Sequence, residues 1–276
     1  MADSFTYNSI DFEDTYGIKL VNWSTPIMSD VRLDLHEQGG ADGAIEQASS
    51  YKPKFMTLVC VIEQSTRELL FTKYDDAMAA LDPVNGKKLL ILDHETGIST
   101  ALNRGYYAML NGPIVPSRYG NTSLLFNLSF VVPGGHAVSA TESSQSSVVI
   151  NSDPKTVYEP AASGSVVRGT TKARPVIILT NTHADAVTSI EVTNETTDEA
   201  VGWGGSLVQN ALLRIDSARM HIEKSTDSGT TWTNAMTGIS SVNNMFPRLQ
   251  DGVQNELTIE GFISGSLDIT YRGVFL

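Results

Sequence analysis

Short runs of apolar residues, each bounded by turn-forming residues, repeat along most of this chain of 276 residues. The segment 31–35, Val-Arg-Leu-Asp-Leu, alternates apolar and polar side chains with period two, which is the pattern of a half-buried β-strand. The run 58–62 is apolar throughout and indicates a strand covered on both faces. Further strands are predicted at 18–21, 88–93, 106–110, 123–132, 176–179, 189–193, 211–216, 220–223, 256–262 and 266–271. The chain is therefore predicted to be mainly β.

One segment changes from the period of a strand to the period of a helix. Residues 65–68, Ser-Thr-Arg-Glu, have the spacing of a capping box. The apolar residues that follow share one helical face, at Leu70, Tyr74, Ala77, Met78 and Leu81. Pro83 then ends the pattern. We expect one α-helix over about 66–81 that covers the sheet of its domain.

The composition changes near the middle of the chain. Residues 139–147, Ser-Ala-Thr-Glu-Ser-Ser-Gln-Ser-Ser, are small and polar and offer nothing to bury, which is typical of a linker. A chain of this length makes about two domains, and we place them at 1–138 and 148–276. The regular strands of the second domain, with Gly, Asn and Asp in the turns, predict an antiparallel β-sandwich.

Acidic residues outnumber basic ones, 31 to 19, so the formal net charge is −12. This balance argues against nucleic-acid binding driven by counterion release. The first 46 residues alone carry nine acids against two bases, a net charge of −7. A solubilising surface explains this excess; the alternative is a wall that repels a polyanion moving past it. The candidates for such an acidic channel lining are Asp11, Glu13, Asp14, Asp30, Asp34, Glu37, Asp42 and Glu46.

A glycine-rich segment lies within this acidic region. Residues 39–44 read Gly-Gly-Ala-Asp-Gly-Ala, and residues 49–54 read Ser-Ser-Tyr-Lys-Pro-Lys. The segment has the glycines of a phosphate-binding loop but lacks the Gly-Lys-Ser/Thr ending. A strand also follows where a phosphate site needs a helix N-terminus. We interpret it as an architectural loop that leads into a strand.

No constellation of residues typical of an enzyme stands out. The five histidines are scattered, without a His-x-x-x-His or Cys-x-x-Cys pair, so neither a metal nor another cofactor is expected. No Gly-x-Ser-x-Gly elbow is present, and the single cysteine, Cys60, is interpreted as a buried core thiol. No signal peptide is visible, and no apolar run is long enough to enter a membrane. We therefore expect a protein without catalytic residues.

One short motif supports an alternative function. Residues 225–232, Ser-Thr-Asp-Ser-Gly-Thr-Thr-Trp, resemble the Asp-box of sialidases, in which Asp bonds turn amides, Gly takes a positive φ and Trp packs beneath the hairpin. One copy without a repeat period does not predict a propeller. Trp203 and Trp232 are the candidate contacts for a saccharide. A carbohydrate-binding β-sandwich module, or a sialidase-like protein, is therefore the alternative.

Taken together, the chain resembles the distal tail proteins of long-tailed, siphovirus-type bacteriophages. In the first half the resemblance rests on the segments 5–12 (Phe-Thr-Tyr-Asn-Ser-Ile-Asp-Phe), 16–19, 39–44, 50–54, 80–83, 86–89, 121–122 and 128–130. In the second half it rests on 174–177, 215–216, 246–249 (Phe-Pro-Arg-Leu), 252–257 and 269–276. The order of these segments, rather than any one of them, carries the resemblance.

The resemblance implies a structural virion protein that forms a homohexameric ring. Its first domain would be β-sandwich-like, with one helix, and would line a channel continuous with the tail tube; its second would be a galectin-like β-sandwich on the outside. The implied partners are the major tail-tube protein and a tail-tip or baseplate hub protein, with DNA passing through unbound. A host-surface saccharide is a further candidate partner. The implied location is the virion tail tip, after synthesis in the host cytoplasm.

Overall fold

The structure of the chain, a computed structural model, describes residues 4–26, 29–37, 44–93 and 104–276. The chain divides into two units, here called unit 1 (up to Ala140) and unit 2 (from Thr141). Strands dominate both units, so the prediction of a mainly β protein is confirmed. Among the described residues, no helix is long and apolar enough to cross a membrane.

Unit 1 is built on one antiparallel sheet with the strand order β2-β1-β7-β8-β10-β6-β3, to which β9 is added beside β10 and β11 beside β8. Among the described residues, strands β4 and β5 pair only with each other. The strands are β1 (Ser4–Tyr7), β2 (Ile10–Asp11), β3 (Ile18–Ser24), β4 (Val31–Glu37), β5 (Ala44–Tyr51), β6 (Lys54–Glu63), β7 (Lys88–Asp93), β8 (Arg104–Leu110), β9 (Ser117–Arg118), β10 (Ser123–Val132) and β11 (Ala137–Ser139). The helices are α1 (Phe12–Tyr16) and α2 (Arg67–Ala80), followed by a 3-10 turn at Pro83–Asn85.

The predicted helix is present as α2, and it packs on the core of unit 1. Leu70 and Ala77 are buried, and the Tyr74 ring meets the Phe126 ring of β10 edge to face, with the centroids 5.7 Å apart. The helix begins one residue later than the capping-box spacing suggests, because Thr66 is the N-cap and its Oγ1 accepts a hydrogen bond from the Leu69 amide at 3.2 Å. The prediction of a helix that covers the sheet of this domain is confirmed.

Helix α1 was not predicted, because its five residues are too few to show a helical period. Asp11 is its N-cap and accepts hydrogen bonds from the amides of Glu13 and Asp14 at 2.9 and 3.0 Å. Gly17 ends the helix in the left-handed conformation. The Phe12 ring stacks on Phe5 with centroids 4.6 Å apart, so this short helix is fixed to the core.

Two expectations about unit 1 are wrong. The run 58–62 is not covered on both faces: Leu58, Cys60 and Ile62 are buried, whereas Val59 and Val61 are half-buried. Residues 44–51 are not a loop but the strand β5, while the glycines at 39–43 lie outside the described residues. The strand predicted to follow this segment is present as β6.

Unit 2 is an antiparallel β-sandwich. One sheet has the order β12-β22-β14-β17-β18-β19 and the other β13-β21-β15-β16-β20. The strands are β12 (Ser143–Ile150), β13 (Lys155–Glu159), β14 (Val176–Asn181), β15 (Ile190–Asn194), β16 (Glu199–Trp203), β17 (Leu212–Asp216), β18 (His221–Ser225), β19 (Thr233–Asn234), β20 (Ile239–Asn243), β21 (Asn255–Glu260), β22 (Gly265–Tyr271) and β23 (Val274–Phe275). Side chains from both sheets, among them Ile177, Leu213, Val201 and Ile259, form one buried cluster.

The expectation of a loose linker over 139–147 is wrong for residues 143–147. These residues belong to β12, which pairs with β22 from Ser143↔Tyr271 onward and has an irregularity between Gln145 and Val148. The strand lies at the edge of its sheet, and most of its side chains are exposed. Polar side chains are therefore compatible with strand pairing here, because the pairing uses the backbone.

Candidate assembly surface and the predicted site residues

Among the described strands of unit 1, only β4 and β5, which form a hairpin, join no larger sheet. At its base, the Lys52 amide donates to the Asp30 carbonyl at 2.7 Å and so joins the two sides of the hairpin. The Ser29 hydroxyl donates to the Gly135 carbonyl and so connects the base to the rest of unit 1. Gly135 has φ +70°, and a Cβ there would lie 2.6 Å from the Lys52 carbonyl oxygen. Glycine is therefore required where the hairpin leaves the sheet.

One face of this hairpin is apolar and exposed. Val31 lies directly opposite Tyr51 in the register, and Leu33, two residues along, points to the same side. Their relative exposures are 39% for Val31, 55% for Leu33 and 44% for Tyr51. A two-stranded hairpin is marginally stable in water, and exposed apolar patches mark interaction sites. This surface, the hairpin face, is the candidate assembly surface of unit 1.

The acidic residues predicted as a channel lining lie on several elements of unit 1, as far as the structure describes them. Asp11, Glu13 and Asp14 lie at the start of α1, where acidic groups stabilise the helix N-terminus. Asp30 is exposed, with an Oδ2–Nζ distance of 3.9 Å to Lys52. Of the rest, Asp34, Glu37 and Glu46 lie on the strands of the hairpin, and Asp42 lies outside the described residues. A lining role for these residues stays a prediction.

Trp203 belongs to the core of unit 2. Its side chain is 3% exposed, and its indole N–H donates to the Ala235 carbonyl at 3.0 Å. Gly205 and Gly238 approach the ring so closely that a Cβ would lie 2.2 Å from Cζ2 and 2.4 Å from Nε1, respectively. The indole lines a surface depression of about 250 Å³ that also contains Lys224. Its burial argues against a stacking role, because a saccharide needs an exposed ring face.

The Asp-box residues form the hairpin turn that the motif predicts. Asp227 Oδ1 accepts hydrogen bonds from the Ser225 hydroxyl at 2.7 Å and from the Thr231 amide at 2.8 Å. These bonds, the Thr231 amide foremost, lower the pKa of Asp227 to about 2. Gly229 takes φ +85°. The motif therefore builds a local turn.

Trp232, at the end of this motif, is half-buried. The Arg214 guanidinium lies over its ring, 4.2 Å from the centroid. Arg214 is held there by Glu223, whose Oε2 accepts from the Arg214 Nε at 2.7 Å. One ring face is thus covered by a cation–π contact, and a saccharide contact through Trp232 stays a prediction.

Unit 2 contains a buried polar network that was not predicted from the sequence. Glu199, on β16, is 2% exposed. Its Oε1 accepts from the Lys172 Nζ at 2.9 Å and from the Arg248 Nε at 3.0 Å, while its Oε2 accepts from the Arg248 amide at 2.9 Å. Burial alone raises the pKa of Glu199, but these bonds outweigh it and hold the pKa below its usual value. Glu199 therefore fixes the segment that contains Phe-Pro-Arg-Leu at 246–249.

A second buried group fixes the same segment. The Asn255 Oδ1 accepts from the Gln250 amide at 2.7 Å and from the Asn194 Nδ2 at 3.1 Å. Asn194 also donates to the Arg248 carbonyl. Two of the segments on which the family resemblance rests, 246–249 and 252–257, are thus joined by one set of hydrogen bonds. In the part of the chain that the structure describes, no three His, Cys, Asp or Glu side chains lie close enough together to hold a metal.

With both units described, the chain is seen to have the fold of phage hub and baseplate proteins. The SPP1 Dit protein, described as a paradigm of the hub adsorption apparatus in phages that infect Gram-positive bacteria, is similar with a TM-score of 0.67 and 12% identity, with 100% of each chain covered. A chain of the phage P2 baseplate in its activated conformation with Ca has a TM-score of 0.57 and 10% identity, covering 99% of this chain and 98% of that one. The resemblance to distal tail proteins is confirmed at the level of the fold.

At the level of sequence, no protein-family model and no curated protein matches the chain.

Proposed function

We propose that this protein is a structural component of a phage tail tip or baseplate and that it works by assembling into a homohexameric ring. The observation that carries the proposal is the match of fold along the entire chain to a hub protein of a phage adsorption apparatus. Both units take part in this match, since 100% of both chains is covered. The proposed role is non-enzymatic, and the proposed location is the virion tail.

The hairpin face gives the ring a physical basis. Val31, Leu33 and Tyr51 are exposed on one side of a hairpin that no other strand supports in the described residues. Covering them with a neighbouring subunit removes apolar surface from water, which favours association. The proposed neighbours along the tail are the major tail-tube protein and a hub protein of the tail tip.

The charge of the chain supports a channel through which DNA moves without binding. The net charge of −12 disfavours attachment to a phosphate backbone. In this proposal, the acidic residues of the first 46 positions lie on the side of the ring that faces the DNA. A structure of the assembled ring tests this assignment.

Unit 2 is proposed to be the outer, galectin-like domain. Its two antiparallel sheets of six and five strands are consistent with such a sandwich. Saccharide binding by this unit remains the alternative function, and Trp232 is the residue on which it depends. A saccharide titration monitored by tryptophan fluorescence tests it.

Negative-stain electron microscopy of the purified chain tests the ring. We expect particles with a central hole and sixfold symmetry. Monomeric particles at every protein concentration contradict the proposal. Turnover of a sialoside by the purified chain contradicts the non-enzymatic role.

A further inference from the structure

The sandwich of unit 2 has a buried carboxyl group at one of its edges. Strand β12 is the edge of the six-stranded sheet and β13 is the edge of the five-stranded sheet, and the segment 151–154 joins them. Glu159, the last residue of β13, is 3% exposed. A carboxyl group in such a place depends on the protein groups around it, because water does not reach it.

The partners of Glu159 come from the opposite sheet. Tyr271 of β22 hydrogen-bonds its carboxyl group and also hydrogen-bonds Ser143 of β12. The Gln145 amide nitrogen, also on β12, donates to Glu159 Oε2 at 2.6 Å and to the Tyr158 carbonyl at 3.2 Å. We call Glu159, Tyr271, Gln145 and Ser143 the edge cluster. It joins β13 of one sheet to β12 and β22 of the other.

A negative charge on Glu159 has no cation to balance it. The ionisable group that faces it is Tyr271, while β12 contributes only neutral side chains and β21 places the neutral Asn255 opposite it in the register. Among the described residues, no Lys, Arg or His forms an ion pair with Glu159. Burial therefore raises the pKa of Glu159 to about 7. An ionised Glu159 favours any arrangement that admits water to the carboxylate.

The first half of β12 is the part of this edge that can move at the least cost. Residues 143–147 are exposed, apart from the half-buried Gln145. The irregularity between Gln145 and Val148 separates them from the second half of the strand, and Ser147 has φ +56° there, which is uncommon for a residue other than glycine. Ile150, 1% exposed, anchors the second half. Opening the first half therefore exposes little apolar surface.

We propose that Glu159 is a pH-dependent switch for the first half of β12: the neutral carboxyl group keeps residues 143–145 paired with β22, and its ionisation releases them. This inference goes beyond the proposed function, because it concerns unit 2 alone and needs no ring. The closed state binds the proton with a pKa of about 7, whereas a solvated carboxyl group has the usual 4.5. The open fraction therefore rises between pH 4.5 and about 7 and is constant above that range.

Hydrogen–deuterium exchange of the full chain, followed by mass spectrometry at pH 5 and pH 7.5, tests the switch. After correction for the intrinsic exchange rates, the protection of residues 143–145 should be at least about tenfold lower at pH 7.5. The central strand β14 should keep its protection within about twofold. Glu159→Gln cannot ionise, so its residues 143–145 should stay protected at both pH values. Glu260→Gln, which removes an exposed carboxylate of β21, is the matched control and should behave as wild type.

A second variant keeps the test decisive if Glu159→Gln does not fold. Tyr271→Phe removes a hydrogen bond that favours the ionised carboxyl group, so the pH at which the loss of protection levels off should rise. The switch is overturned if residues 143–145 are equally protected at both pH values in wild type, or if a folded Glu159→Gln chain loses as much protection as wild type. Loss of protection by the same factor in β14 also overturns it, because the opening is then global rather than local.

Discussion

The two units differ in how many polar side chains they bury. Of the described polar or charged residues that are buried, seven lie in unit 2 and only Ser29 and Lys54 lie in unit 1. In unit 2 the buried Glu199 has two cationic partners. In unit 1 the buried Lys54 lies 5.7 Å from the Tyr106 ring centroid, and burial, followed by the nearby Arg104, lowers its pKa. Both units expose some apolar side chains, such as Leu33 in unit 1 and Ile263 in unit 2, so the difference lies in the buried polar groups.

This difference indicates how strongly buried polar groups restrict the fold of each unit. A buried polar network restricts a domain to one arrangement, because every alternative leaves a donor or an acceptor unsatisfied. Unit 2 has such networks and is specified by its own sequence. Unit 1 has a core of its own, and its hairpin face is exposed in the single chain. The hairpin face is thus the surface of unit 1 that the proposed ring would cover.

The largest effect is expected from a charge on the hairpin face. In the proposed ring, Leu33→Asp would place a carboxylate in a contact between subunits, at a cost of about 2 kcal/mol or more per contact, or roughly 30-fold in each association constant. The total effect is the largest because this cost is repeated at every contact around the ring. The free energy of unfolding of the chain should stay within about 0.5 kcal/mol of wild type, because the residue is exposed. Mass photometry measures the loss of rings. Ser50→Asp adds the same charge on the opposite face and should keep them; equal behaviour of the two variants contradicts the interpretation of the hairpin.

The second prediction concerns the network of unit 2. Glu199→Gln removes the carboxylate and leaves Arg248 and Lys172 without their buried partner, so we expect a loss of about 3–5 kcal/mol in the free energy of unfolding. Urea unfolding followed by far-ultraviolet circular dichroism measures it. Glu260→Gln, an exposed carboxylate of the same sheet, is the control and should change stability by less than about 0.5 kcal/mol. A similar small effect for Glu199→Gln contradicts the role of the network.

The third prediction concerns the packing of glycine on Trp203. Gly238→Ala introduces a Cβ 2.4 Å from the indole Nε1, so we expect the ring to shift and stability to fall by about 1–3 kcal/mol. Gly204→Ala is the control, because the nearest atom to its Cβ is 3.6 Å away. Tryptophan fluorescence and thermal unfolding measure both variants. Loss of stability in both variants alike contradicts the specific role of this contact.

The smallest effect is a dependence on pH that comes from Glu159, a buried residue of β13. Burial raises its pKa from 4.5 to about 7, against an opposing hydrogen bond from Tyr271. Because the folded state holds this proton more tightly than the unfolded state, its stabilising effect is complete below pH 4.5 and is lost as the pH rises to about 7. Solvent screening reduces the full shift to roughly 1–2 kcal/mol.

Glu159→Gln isolates this contribution, since glutamine keeps the shape of the side chain without titrating. Thermal unfolding from pH 4.5 to 8 should show wild type losing stability relative to the variant as the pH rises. Parallel curves for the two proteins over this range would mean that Glu159 ionises in the folded state as it does in the unfolded one.

Much of this architecture follows from the periodicity of apolar residues in the sequence. The strands that were not predicted were missed for physical reasons. Strand β10 coincides with the predicted 123–132, and α2 lies within the predicted 66–81, because both segments are long and regular. The strand β16, Glu-Ala-Val-Gly-Trp, was missed since all five of its residues are buried and no alternation is visible. The edge strand β12 was missed because its serines suggest a linker.

The candidate surfaces were harder to predict than the strands. The alternation in 31–35 correctly predicts β4, but it cannot show that the apolar side of the strand is exposed, because exposure depends on what packs there. Similarly, Glu199 stands 49 positions before Arg248 along the chain, so their pairing follows only from the sandwich. Trp203 and Trp232 were chosen by residue type, which does not distinguish a core indole from an exposed one.

The mass of the purified wild-type chain in solution, measured over a wide range of concentration, tests the central claim most directly. Identical subunits in a closed ring predict one dominant species with six times the 29.8 kDa of a single chain. A species of 29.8 kDa at every concentration would contradict the account.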